Sequence, residues 1–532
     1  MASLLECINQ LPTKMTGRKF SITFLLFAFL LSGCKKEQAI TSLPRSIPEA
    51  EGVSSQGIID FLNATAKSKH EFHSLMFLRH GKVIAEGWWD PYKPELRHTL
   101  YSTSKSFTAT AVGFAVSEKR LSVNDKVISF FPDELPDTIG TFLSNMKVRD
   151  LLSMTAGQDP DPTFKIVTND SNWVKAFLAV PVIHKPGTKF LYNTLATYML
   201  SAIVQKATGE KVIDYLTPRL FKPLAINGMD WEVDPNRINT GGWGLRLKTE
   251  DMAKFGQLFL QNGKWNGKQV LSSAWIEEAT TKKIDQNPDA PQTAKDSSDW
   301  LQGYCYQMWR CRHNAFRADG AYGQYIIIMP DQNAVIALTS ESPDMQDEIN
   351  LVWEYLLPAI KTDKLPENSA LYTTLKQKLS SLALQLPDTG HGSAIVSQIS
   401  GKTFAFKTND KNLSTMNFQF RDSICKVSMM INTTHYNFNL GSGQWMTSET
   451  TLPGPDLLLL AKAHFAGLPS AKVAGRYFWK DENTLKMVLR YIESPHTETI
   501  TCKFDKNNVS VGFHYSNELD IIQPELEGVV KD

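Results

Sequence analysis

The chain has 532 residues, and its 56 Lys+Arg face 55 Asp+Glu for a formal net charge of +1. This balance removes the electrostatic case for a nucleic-acid partner. A hydrophobic content of 42% is that of a folded globular protein, and the length predicts two or three domains, each with its own core.

Read in chain order, the first signal is one of export. Lys14, Arg18 and Lys19 precede an apolar run from Phe20 to Leu31, too short to span a bilayer stably but suited to a signal peptide. The run ends in Leu31-Ser32-Gly33-Cys34, which resembles a bacterial lipobox. The resemblance implies cleavage before Cys34, lipidation of its thiol and a protein tethered to the membrane of the cell envelope. Met15 is an alternative start to Met1. Residues 1–33 are then the leader and 34–50 a polar tether, whose Lys35 and Lys36 keep it solvated.

From 51 to 363 helical and strand-like segments mix. Leu75–Leu78 and Val83–Gly87 flank Arg79-His80-Gly81-Lys82 and predict a hairpin. Helices dominate between about Asn124 and Glu278. Tyr325–Met329 and Ala334–Leu338 read as two strands joined at Pro330–Asn333, and a last helix runs from Asp344 to Leu357. Strands at both ends with helices between them predict an α/β layer and a helical subdomain with a cleft between. Residues 364–388 read as a linker holding one helix. Residues 389–532, with alternating segments such as Thr484–Tyr491 and Thr499–Phe504, predict a separate all-β domain. Of the cysteines beyond the leader, Cys305 and Cys311 would lie too far apart on one strand to bridge, while Cys425 and Cys502 could pair across strands. No C-x-x-C pair or H-E-x-x-H run calls for a metal, and nothing calls for a cofactor. The sequence carries no signal for an oligomeric state.

The chemistry centres on Ser102 and Lys105. S-x-x-K occurs four times, at Ser32, Ser102, Ser144 and Ser423, so the bare pattern says little. Only after Lys105 does a small, mostly apolar run follow (Phe107, Ala109, Ala111, Val112, Phe114, Ala115), predicting a helix packed on nearly all sides. Ser102 then sits at its positive end, and Lys105, one turn on, reaches the same face. A capping serine followed by an exposed lysine is the plainer alternative. A second segment, Pro186-Gly187-Thr188-Lys189-Phe190-Leu191-Tyr192-Asn193-Thr194, places Tyr192 on a loop just before a helix from Leu195 to about Ala207. No G-x-S-x-G elbow supplies a histidine triad, so a phenol whose pKa is lowered by the lysine ammonium is a plausible base for Ser102.

Taken together, these elements resemble the serine β-lactamase and penicillin-recognising superfamily, in the branch of class C β-lactamases, family VIII esterases and 6-aminohexanoate-oligomer hydrolases. The likeness covers about residues 50–360. It rests on Ser102–Thr108, on Pro186–Tyr192, on Gly241-Gly242-Trp243-Gly244 through Gly256, and on Val148–Gly157. It implies acyl transfer by Ser102, with Lys105 and Tyr192 managing its proton, on a small-molecule ester, amide or peptide substrate. Two positions depart from the pattern. Thr194 stands where Y-x-N has its asparagine, a group that helps hold a substrate amide. The third element, K-T-G or H-x-G in the family, is matched by Asp319-Gly320-Ala321, which lacks a cation. Arg317 could supply that cation or be a surface charge, and a backbone N–H near Ala321 or Tyr322 could complete an oxyanion hole. The expectation is an esterase or amidase rather than an efficient β-lactamase. A D-amino-acid peptidase or carboxypeptidase, or a catalytically silent binding protein, is the alternative. His80, His184 and His313, and Trp88, Trp89, Trp300 and Trp309, read first as structural.

Overall fold

A computed structural model describes residues 42–385, 393–452, 454–455, 467–518 and 524–531. The leader, Cys34 and the end of the 364–388 segment lie outside the described residues. No helix among the described residues is long and apolar enough to cross a membrane.

A six-stranded antiparallel sheet organises the first domain. Its spatial order is Lys82–Trp88, Glu71–Arg79, Ala334–Glu341, Gln324–Met329, Phe316–Gly320 and Trp309–Arg310. The hairpin turns at His80 and Gly81, both with positive φ (51° and 76°), which suits the twist of a two-residue connection. The apolar runs of Tyr325–Met329 and Ala334–Leu338 are continuous because both faces of the sheet are covered. Ile326, Ile328, Val335 and Ala337 face the helix Thr249–Leu260, whose Gly256 lies against Ile326 and Val335. Tyr325, Ile327, Ile336 and Leu338 face the helices Ser55–Thr65 and Met345–Leu351.

The last helix begins where the sequence places it, with the Asp344 carboxylate capping Asp347 N at 3.0 Å. It widens into a π-type turn at Val352–Leu356. Pro358, in the next turn, has no N–H to give to the ordinary ladder. In the 364–388 segment the helix Ser369–Ser380 is docked rather than free: Leu375 is fully buried among the side chains of the second core.

An all-β domain follows. Strands between Thr403 and Val530 run antiparallel from neighbour to neighbour, and a short parallel contact, Gly441 with Arg476 and Ser442 with Tyr477, closes the sheet into a barrel. Closure removes the open edge of the sheet. Its interior holds Phe404, Phe418, Trp479, Leu485 and Phe504. Cys425 and Cys502 are both buried there as free thiols, so the possible bridge is not made, and Cys305 and Cys311 are likewise free.

Candidate active site

Ser102 lies in a single 3-10 turn, Tyr101–Thr103, that leads into the helix Ser104–Ser117. The first twelve residues of that helix are all buried, as its small apolar composition dictates. The turn is placed against the third-element strand at contact distance. A Cβ added to Gly320 would come within 2.1 Å of the Leu100 carbonyl oxygen, so only glycine permits this approach.

Lys105 is 1% exposed, and its Nζ makes three contacts: Ser102 Oγ at 3.0 Å, Thr194 Oγ1 at 3.3 Å and the Gly242 carbonyl at 2.8 Å. This explains the Gly241–Gly244 run. A side chain at Gly242 would strike Thr194, so glycine is what lets that backbone reach the amine. Among the described residues no carboxylate pairs with Lys105, and burial pushes its pKa down from 10.5 to about 7 against the weaker pull of Asp161 and Asp319. The plainer alternative, an exposed lysine behind a capping serine, is excluded by this burial.

Tyr192 sits on the loop before the helix Thr194–Thr208, which Asn193 caps by accepting from Ala196 N at 3.0 Å. The Lys105 Nζ lies 5.0 Å from the centre of its ring. The expected lowering of the phenol pKa is reversed here. Burial first, then the Asp319 carboxylate, raise it, and the interaction with Ser102 opposes them only in part. The phenol therefore holds its proton at neutral pH, and of the two groups it is the lysine that can be without one. Tyr192 stacks on Trp309 (5.5 Å, 24°), and Trp309 meets Trp300, Tyr304 and Phe190 in one aromatic wall.

The third element differs from both readings offered for Arg317. The side chain is neither at the surface nor free to meet a substrate. It is wholly buried, with Nε 3.0 Å from Asp319 Oδ2 and Nη1 donating to the Asp299 carbonyl at 2.8 Å. Its guanidinium lies 4.1 Å from the Trp300 ring. Asp319 consumes the charge that a substrate carboxylate would need. Beyond Gly320, Ala321 is exposed and Tyr322 half-buried with φ 65°; Ser342 N and Ser340 Oγ both donate to the Tyr322 carbonyl, at 2.9 and 2.8 Å. Thr194 keeps a place in the site through Lys105, while Asn193 Nδ2 is engaged by Gln158 Oε1 at 2.9 Å.

Several residues near this site carried no sequence signal. Asp161 accepts from Thr163 N and Oγ1 at 3.0 and 2.6 Å, and Trp309 stacks on Tyr192. His496 comes from the barrel, and its Nε2 meets the Tyr101 hydroxyl. Of the histidines that were singled out, His80 pairs with Glu51 and His184 with Asp159, and His313 packs near Trp353.

A serine hydroxyl against a lysine amine, beside a tyrosine and the end of a sheet strand, is the site architecture of one hydrolase superfamily. The model of the family described as Beta-lactamase matches residues 70–357, more than half of the chain, and the chain belongs to that family. It is similar to the 6-aminohexanoate-dimer hydrolase of Paenarthrobacter ureafaciens, 25% identical over 289 residues that cover 51% of this chain and 73% of that protein. It is also similar to Protein flp of Staphylococcus aureus (strain MRSA252), 27% identical over 188 residues, 33% of this chain and 38% of that one. A solved Bacillus anthracis protein, provisionally described as a 6-aminohexanoate-dimer hydrolase, shares the fold with a TM-score of 0.51 at 21% identity, covering 62% of this chain and 90% of that chain.

Proposed function

We propose that the chain is a serine hydrolase that cleaves a carboxylic ester or amide through an acyl-enzyme. One observation carries this reading: the Ser102 hydroxyl lies 3.0 Å from the amine of a buried lysine that has no counter-ion. In the first step Ser102 Oγ attacks the substrate carbonyl and its proton passes to neutral Lys105. The developing oxyanion is received at the positive end of the helix Ser104–Ser117 and by the Ala321–Tyr322 turn. Tyr192, which holds its proton, gives it to the leaving alcohol or amine and recovers one from Lys105. Water then attacks the acyl-serine by the reverse route, releasing the acid and restoring the hydroxyl.

The tied charge of Arg317 bears on the substrate. A free carboxylate would find Asp319 nearby and no available cation on the third element, which speaks against a carboxypeptidase or an efficient β-lactamase. The name of the Paenarthrobacter relative fits an amide substrate. Export and lipidation at Cys34 belong to the same proposal, resting on the sequence between Lys14 and Cys34. Metabolic labelling with a fatty acid, lost in Cys34→Ala, tests that part.

Intact mass after exposure to a fluorophosphonate, with p-nitrophenyl butyrate and nitrocefin turnover in parallel, tests the chemistry. One adduct on Ser102, ester turnover and little nitrocefin cleavage are expected, all lost in Ser102→Ala. Near-unchanged hydrolysis by Ser102→Ala would overturn the mechanism.

A further inference from the structure

Among the segments by which the barrel meets the first domain is the turn Ile492–His496, between the strands Thr484–Tyr491 and Thr497–Asp505. Its contacts converge on the segment that ends in Ser102. The Glu493 carbonyl accepts from Thr99 N at 2.9 Å, and its carboxylate pairs with Arg97 (3.0 Å) and Arg246 (3.2 Å). The Ser494 carbonyl accepts from the Tyr92 hydroxyl at 2.9 Å. One position before the turn's strand ends, Arg490 forms an ion pair with Glu71.

His496 is fully buried and stands between two tyrosines. Its Nδ1 lies 2.7 Å from Glu341 Oε1, which also accepts from Ser516 Oγ at 2.6 Å. Since a carboxylate only accepts, Nδ1 donates to Glu341, and Nε2 is hydrogen-bonded to the Tyr101 hydroxyl. The His496 ring also meets the edge of Tyr322 at 4.7 Å and lies 5.7 Å from the Tyr101 ring. Both tyrosines hold left-handed backbone, Tyr101 at φ 48° and Tyr322 at φ 65°. That conformation is costly for a bulky residue and persists only where surroundings enforce it. One tyrosine immediately precedes Ser102, and the other lies in the turn placed to receive the oxyanion.

We infer that His496 is a positioning residue for Ser102, by which the C-terminal barrel holds the strained Tyr101 and Tyr322 backbones and so completes the active site of the first domain. This rests on the acyl-enzyme reading above. The line Tyr101 hydroxyl, His496 imidazole, Glu341 carboxylate fixes the ring from both sides, and the ring fixes the two turns.

The test uses the full chain with His496→Ala, His496→Gln, His496→Asn and Tyr101→Phe, each checked for an unaltered thermal unfolding temperature. Gln places its terminal oxygen near the position of Nε2 and keeps the Tyr101 contact; Asn reaches only the Nδ1 position. The rate of fluorophosphonate labelling and kcat for p-nitrophenyl butyrate should fall about tenfold or more in Ala, Asn and Tyr101→Phe. Gln should recover several-fold, with KM little moved throughout. Hydrogen–deuterium exchange of the 98–104 peptide should quicken in the same three variants and stay slow in Gln. That readout holds whether or not the chain turns over the ester. Should Tyr101→Phe, the least intrusive variant, leave both exchange and labelling at the unsubstituted level, the inference is overturned. Absence of labelling in the unsubstituted chain would instead overturn the acyl-enzyme reading, and the exchange result would still decide the role of His496.

Discussion

Two buried cations stand within the same site, and they have opposite fates. Lys105 has no carboxylate partner, only a carbonyl and two hydroxyls, and burial pushes its pKa to about 7. Arg317, equally buried, has Asp319 against it and remains charged. Low dielectric alone therefore does not decide what a buried cation becomes; the group's own basicity and its counter-ion do. The unpaired one is available as a base, and the paired one is a strut beneath Trp300 and the third-element strand.

Substitutions can break this contrast. Lys105→Arg keeps a cation but removes a group able to lose its proton, so ester hydrolysis should fall about a thousandfold. A steady-state assay showing activity near the unsubstituted level would mean that charge, not basicity, is what the site uses. Tyr192→Phe should lower kcat by more than about a hundredfold, the size of losing one proton-transfer group. If hydrolysis of a substrate with an already acidic leaving group is spared, the phenol acts on the leaving group as proposed. Asp319→Asn leaves a buried arginine unpaired and should cost about 3 kcal/mol of stability, read by urea unfolding. Arg317→Met added to it should return much of that loss.

A pH profile sharpens the contrast further. In the proposed mechanism the neutral amine of Lys105 is the working form, so kcat/KM should rise with pH and level off above about 7. The folded pKa lies below the ordinary 10.5, so the unfolded chain binds the extra proton between these values. Stability from this group therefore increases as pH rises from about 7 to 10.5. The smallest effect is expected from Thr194→Val. It removes one acceptor that favours the charged amine, and should move the acid limb a few tenths of a unit lower with only a few-fold change in rate.

Much of this arrangement is legible in the sequence alone. The run after Lys105 reads as a helix enclosed on most sides, and that composition singles out one S-x-x-K among four. The His80-Gly81 hairpin and the strands around Pro330 were readable because turn residues and apolar runs are local signals. The direction of the Tyr192 shift was not, since it depends on how deeply a loop residue is enclosed. A lysine neighbour in sequence reasoning is a full positive charge, whereas here its own burial weakens it. The Arg317–Asp319 pair is two residues apart, yet its meaning lay in which side of the strand faces Trp300 and Trp309. His496 could not have been found at all. Nothing in Ser494-Pro495-His496 distinguishes a site residue from any polar turn.

The contact between Tyr101 and His496 spans 395 positions of the chain. In the order of synthesis, Ser102 emerges early and the turn that finishes its surroundings comes near the end. At roughly 5–20 residues per second, about 20–80 s separate the two. Glu341, the far end of the same line, is made between them. On the positioning role inferred for His496, the full reactivity of Ser102 waits for this turn to be made and folded, so the barrel would set when the chemistry begins as well as where.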